Sequence, residues 1–99
     1  MTNKTLERYR IKIDLVDQQI ITLLSDRMKT SLKIGKYKNR NKLPIQDKTR
    51  ELEMISRYIK MATLHRLNPN YIKKLYAIIL SQSRSVQAKK GGVINERKS

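Results

Sequence analysis

The stretch that decides the fold is Leu6–Lys38, LERYRIKIDLVDQQIITLLSDRMKTSLKIGKYK, which has no proline and a single glycine, Gly35. Apolar residues recur in it at Leu6, Tyr9, Ile13, Val16, Ile20, Leu23, Leu24, Met28 and Ile34, mostly in steps of three and four. That pattern is a helix stripe with a near-heptad period. Asn3 or Thr5 can cap its start. The segment Asn39–Pro44 breaks the pattern, because Pro44 disfavours helical geometry at Leu43. Asp47 then stands as the N-cap of a second helix. Its stripe is Leu52, Ile55, Ile59 and Ala62, with Met54, Tyr58 and Met61 beside it, and it fades near His65–Leu67. Asn68-Pro69 restarts the chain as an N-cap followed by proline at the first helical position. The third helix carries Ile72, Leu75, Tyr76, Ile79, Leu80 and Val86 and ends before Gly91-Gly92. The expectation is an all-α fold of three helices within a domain at 1–88, followed by a polar, disordered tail from Lys89 to Ser99.

Length turns this into a statement about assembly. A helix of ~33 residues is ~50 Å long. A compact domain of this size has a radius of gyration of only ~13 Å. The first helix therefore projects beyond a monomeric globule, and its apolar stripe continues along the projection. An intertwined homodimer with paired long helices covers it. The alternative is a monomer whose first helix bends or breaks, with Gly35 as its only weak point.

Composition narrows the chemistry. The 99 residues hold 23 Lys+Arg against 8 Asp+Glu, a formal charge of +15, with no cysteine and one histidine, His65. A disulfide framework, a thiolate metal site and a His-rich metal site are excluded. No apolar run approaches the ~20 residues that span a bilayer. The stretch Met1–Arg10 lacks a signal-peptide core, so a cytoplasmic location is expected and no membrane partner. The charge points to an anionic partner. Its plain alternative is a lysine-rich solvated surface.

The informative residues are polar ones that interrupt the stripes. Arg27 lies seven residues after Ile20 and seven before Ile34, a core position of the heptad. A charge there is expensive unless paired or given an anion. Lys38, eleven residues on, projects from nearly the same face ~16 Å along the axis. Arg10 lies ~25 Å before Arg27, so only an antiparallel partner helix brings it to the same ligand. Each cation alone reads as a snorkelling surface side chain. Ser83 follows Ile79 by four residues and Gln87 follows Ser83 by four, so both continue the buried side of the third helix. Glu51 is four before Ile55 and, with Asp47, complements the dipole of the second helix. Arg50 is placed to pair with a nearby carboxylate. A bundle whose interior holds Arg, Lys, Glu, Ser and Gln calls for a polar ligand.

These residues, in this order, resemble the all-helical chorismate mutases. The resemblance runs through Leu6, Arg10, Ile13, Asp17, Ile20, Leu23-Leu24 and Arg27. It continues through Ile34-Gly35 and Lys38, then Leu43-Pro44-Ile45, Asp47 and Arg50-Glu51, and ends at Ser83 and Gln87. It implies a Claisen rearrangement of chorismate to prephenate, towards phenylalanine and tyrosine, in an intertwined helical homodimer without cofactor or metal. It also implies roles. Arg27, Lys38 and the Arg10 of the other chain would bind the two carboxylates, with a hydrogen bond from Ser83. Lys38 and Gln87 would donate to the ether oxygen as catalytic groups. Glu51, with the backbone at Asp47, would hold the ring hydroxyl, and Arg50 would position neighbouring polar groups. Ile34, Met54 and Leu80 would be apolar walls. A pericyclic reaction needs no nucleophile. It needs a folded reactive conformer and donors where negative charge grows on the ether oxygen.

Two rivals share some of these features. An isochorismate pyruvate lyase of the same fold also holds a dicarboxylate enolpyruvyl ether with Arg and Lys, and Glu51 is the residue that separates it from the mutase pattern. A basic nucleic-acid-binding helical module would use the charge and the pI of about 10.4. Against it, the five aromatics are all tyrosine, with Tyr9, Tyr58 and Tyr76 on or beside apolar stripes, and no nucleic-acid-binding signature appears.

Overall fold

The structure, a computed structural model, describes residues 3–89. Those residues form three helices, α1 (Lys4–Arg40), α2 (Lys48–Leu64) and α3 (Pro69–Ala88), with no strand among the described residues. None of these helices is long and apolar enough to cross a membrane. The tail expected from Lys89 onward lies outside the described residues, apart from Lys89 itself. Internal contacts divide the chain into two units, Met1–Thr30 and Ser31–Ser99.

Each helix starts where a side chain can satisfy its first amides. Asn3, not Thr5, caps α1: its Oδ1 accepts from the Leu6 N–H at 3.0 Å. Asp47 Oδ1 accepts from the Arg50 N–H at 3.0 Å. Asn68 Oδ1 accepts from the Asn70 and Tyr71 amides at 2.8 and 3.4 Å, and Pro69 follows at the first helical position. The ends of α1 and α2 share another device. Lys42 (φ 55°) and Arg66 (φ 60°) adopt the left-handed conformation that usually falls to glycine. Each lets the next residue turn back on the helix, Leu43 N–H to Lys38 O at 2.9 Å and Leu67 N–H to Ala62 O at 2.8 Å.

In the unit Met1–Thr30 the stripe of α1 is present but uncovered. Leu6, Tyr9, Ile13, Val16, Ile20, Leu23 and Leu24 are all exposed, Tyr9 and Leu23 at about two-thirds of their surface. Helix α1 continues without interruption through Gly35.

In the unit Ser31–Ser99, α2 packs on α3 around Met54, Ala62, Leu80 and Val86. The Tyr58 and Tyr76 rings meet with centroids 4.5 Å apart. The expected stripe of α2 holds at Ile55, Ile59 and Ala62 but not at Leu52, which is 73% exposed, while Met54, expected beside it, is 8% exposed. The buried side also takes in Glu51 and Tyr58. Neighbouring apolar residues lie ~100° apart on a helix, so a period alone does not fix which of two adjacent rows is innermost. Glu51, expected in the interior, is half-buried on this side, and its charge has a partner.

Candidate active site

The last turns of α1 meet the last turns of α3 through small and polar residues spaced at helical intervals. Ser31, Gly35 and Lys38 lie on one face of α1; Ser83, Val86 and Gln87 lie on the facing side of α3. The Ser31 hydroxyl donates to Ser83 Oγ at 3.2 Å, and both residues are buried. One turn on, Gly35 is buried directly against the backbone of Gln87, so close that a Cβ there would lie 2.7 Å from Gln87 Cα and 2.8 Å from its carbonyl oxygen. Another turn on, Lys38 Nζ donates to Gln87 Oε1 at 2.9 Å and to the Ile45 carbonyl at 2.6 Å. The glycine lets the two helices approach closely enough for that pair to form.

The Lys38–Gln87 pair leaves donors over. An ammonium has three hydrogens and no lone pair. Two are used by Ile45 and Gln87, so among the described residues one remains. Facing a pure donor, the Gln87 amide must present its oxygen, which turns its NH₂ group outward. Both side chains are half-buried. Donors held this way need little reorganisation to meet a developing negative charge.

The first turn of α2 supplies the acidic side. Asp47 is committed through its side chain to capping α2. Glu51 is bound by Arg84 of α3, whose Nη1 donates to both carboxylate oxygens at 2.7 Å. Arg84 is three residues from Gln87, on an adjacent row of the same helix. Arg50 is exposed and makes no ion pair among the described residues, so the cation on this carboxylate is Arg84. Met54 and Leu80 are buried nearby on α2 and α3, while Ile34 is 41% exposed.

Lys38 and Gln87 are thus brought into direct contact, while Ser83 pairs with Ser31 and Glu51 with Arg84, all in the unit Ser31–Ser99, with Asp47 and Arg50 in the same helical turn as Glu51. Arg10 and Arg27 lie in the other unit, Arg10 exposed and Arg27 half-buried and engaged. Reasoning from the sequence missed Ser31 and Arg84. Ser31 was findable: it lies four residues before Gly35 and seven before Lys38, on the same face. Arg84 had no local signal, because its partner is 33 positions away.

A half-buried lysine–glutamine pair and an arginine-held carboxylate, three residues apart along α3, are the polar groups a helical bundle can offer to a small polar ligand. The chain belongs to the chorismate mutase type II family, whose model matches residues 9–88. It is similar to the bifunctional chorismate mutase/prephenate dehydratase of Escherichia coli (strain K12), with 31% identity over 74 residues, 75% of this chain and 19% of that one. The chain therefore spans about a fifth of the length of the bifunctional relatives it matches. It is 28% identical over 82 residues to the chorismate mutase of Methanocaldococcus jannaschii, covering 83% of each chain. Among solved structures it resembles a conserved hypothetical protein from Pyrococcus furiosus, with a TM-score of 0.71 and 35% identity over 87% of this chain and 99% of that one.

Proposed function

We propose that the chain is a chorismate mutase, an isomerase that converts chorismate to prephenate in the route to phenylalanine and tyrosine, with residues 1–88 as its catalytic domain. The observation that carries this reading is the Lys38–Gln87 pair, two adjacent donors with hydrogens to spare at the junction of α1 and α3.

In the rearrangement the ether C–O bond breaks while a C–C bond forms between the enolpyruvyl terminus and the ring. Chorismate must first fold its side chain over the ring. Arg27 and Lys38 of one chain and Arg10 of a partner hold the two carboxylates, helped by Ser83, and so select that conformer. As the C–O bond lengthens, negative charge grows on the ether oxygen. The spare hydrogen of Lys38 and the Gln87 amide stabilise that charge more than they stabilise the ground state. Glu51, with the backbone at Asp47, accepts the ring hydroxyl. Arg50, in the same turn, positions neighbouring polar groups. Neither proton transfer nor a covalent intermediate is required.

The shared site follows from the homodimer in this reading. Its support is the uncovered stripe of α1 from Leu6 to Leu24. A soluble monomer rarely leaves so long an apolar row exposed, and a second copy of the same stripe is its natural cover.

The test is chorismate depletion by the purified chain, with isochorismate assayed in parallel, and with Lys38→Ala and Arg10→Ala as variants. Each variant alone loses activity by about two orders of magnitude or more, the scale of removing one preorganised donor. Mixing and reannealing the two variants restores activity, because one of the two sites in a hybrid dimer has both residues intact. Near-wild-type turnover by Lys38→Ala sinks the assignment. Pyruvate release from isochorismate without chorismate turnover moves it to the lyase. Failure of the mixture to recover places Arg10 outside the partner's site.

A further inference from the structure

We propose that Arg84 is a positioning residue for the reaction: it holds Glu51 in place as an acceptor and cancels its charge beside a dianionic substrate. This inference rests on the mutase reading for the substrate, and on the structure for the pair.

Three observations carry it. First, the contact is doubly made. One Arg84 nitrogen, Nη1, donates to both oxygens of Glu51 at 2.7 Å, so the carboxylate faces the guanidinium and both its oxygens are engaged. Second, the pair is partly removed from solvent, with the side chains 33% and 22% exposed, so it is less screened than a surface pair. Third, the contact joins the first turn of α2 to the last turns of α3, next to Gln87. The carboxylate that is to recognise the ring hydroxyl is thereby tied to the helix that carries the donor to the ether oxygen.

The electrostatic argument is independent of the geometric one. Chorismate brings two negative charges. An unneutralised Glu51 carboxylate near the ring would repel them. Removing Glu51 would cure the repulsion but lose the hydroxyl acceptor. Pairing it with Arg84 keeps the acceptor and removes the net charge. Two hydrogen bonds occupy only part of a carboxylate's capacity, since its two oxygens offer about four lone-pair sites. Room remains for a hydroxyl. The loss on removing Arg84 therefore falls mainly on substrate affinity, because the hydroxyl contact and the repulsion exist in ground state and transition state alike.

The test is a double-mutant cycle on kcat and KM for chorismate, using wild type, Arg84→Met, Glu51→Ala and the double variant, with Arg84→Lys as the conservative replacement. Methionine keeps the length and packing of the arginine stem. Circular dichroism and thermal unfolding check the fold of each protein. Arg84→Met is expected to raise KM about tenfold or more with kcat changed about threefold or less, the scale of one charged hydrogen-bonded contact. Arg84→Lys keeps the charge, but its shorter stem and compact ammonium do not put a donor where Nη1 sits, so it recovers part of that loss. In the Glu51→Ala background, Arg84→Met lowers kcat/KM no further, because the residue it acts through is gone. A further loss of twofold or more in that background overturns the proposal and makes Arg84 a direct substrate contact. An unchanged KM in the single variant overturns it too. If Arg84→Met does not fold, the Arg84→Lys result decides: wild-type KM with lysine leaves charge alone as the role and overturns the positioning. Absence of chorismate turnover by the wild-type chain is a separate outcome, which rejects the mutase reading instead.

Discussion

Gly35→Ala sets two effects of opposite sign against each other. In an isolated helix the change is favourable, since alanine exceeds glycine in helix propensity by about 1 kcal/mol. Here the new methyl would lie 2.7 Å from Gln87 Cα, 2.8 Å from its carbonyl oxygen and 3.1 Å from its carbonyl carbon. Carbon atoms in contact sit ~3.5–4.0 Å apart, so α1 and α3 must separate by roughly 1 Å at this point. The atoms in the way are backbone, and a rotamer change does not move them. Overpacking of this kind costs about 1–3 kcal/mol, which offsets or exceeds the propensity gain. Stability therefore falls by about 0–2 kcal/mol, or up to ~15 °C in Tm for a chain of this size. Activity should fall further. The Lys38–Gln87 hydrogen bond, 2.9 Å long, lies one turn from the glycine. Moving its partners apart by ~1 Å takes it beyond hydrogen-bonding range. A misplacement of that size is worth about a hundredfold in rate. The assays are chorismate turnover and thermal unfolding at fixed chain concentration. A variant with wild-type turnover and a raised Tm would show that propensity wins, and would refute the close approach as the reason for a glycine at this position.

Two further substitutions test other parts of the structure. Gln87→Glu replaces an amide by an acceptor-only carboxylate beside the Lys38 ammonium. The donor returns only when the carboxyl is protonated, so kcat/KM of this variant should rise as pH falls towards the ordinary glutamate range near ~4.3. The wild type should lack that acidic rise, and an equally flat profile in the variant argues against Gln87 as a donor. Arg66→Gly relieves a left-handed residue at the end of α2, where φ is 60°. It should stabilise the chain by about 1 kcal/mol, because the left-handed region costs a side chain ~1–2 kcal/mol and the unfolded chain gains some entropy in return. An unchanged or lower Tm would contradict the strain.

Much of the architecture is written locally. Asp47 and Asn68-Pro69 mark their helix starts with side chains that only need to reach their own first turn. Ser83 and Gln87 are visible as polar residues because they continue an apolar row at intervals of four. What escaped is what depends on a distant residue. Leu52 looked like core by period and is exposed, while Glu51, read as an interior group, is half-buried with a partner, Arg84 of α3, that the sequence did not reveal. Gly35 looked like a weak point in a helix. Its role appears only when Gln87, 52 positions later, is laid against it. Arg10 and Arg27 stand out by their place on the stripe, and a cation's place on one helix does not specify which anion or which chain it serves.

Lys38 also governs the segment that follows it. Its backbone carbonyl accepts from the Leu43 amide at 2.9 Å, and its ammonium donates to the Ile45 carbonyl at 2.6 Å, so one residue ties the connection to α2 at two points. The anchor of that connection and the ammonium proposed to meet substrate are the same group. An anion that draws the ammonium towards itself loosens the Ile45 tie. Exchange of the Leu43 amide with solvent then becomes a reporter of ligation, and loop mobility and binding are two readings of one equilibrium.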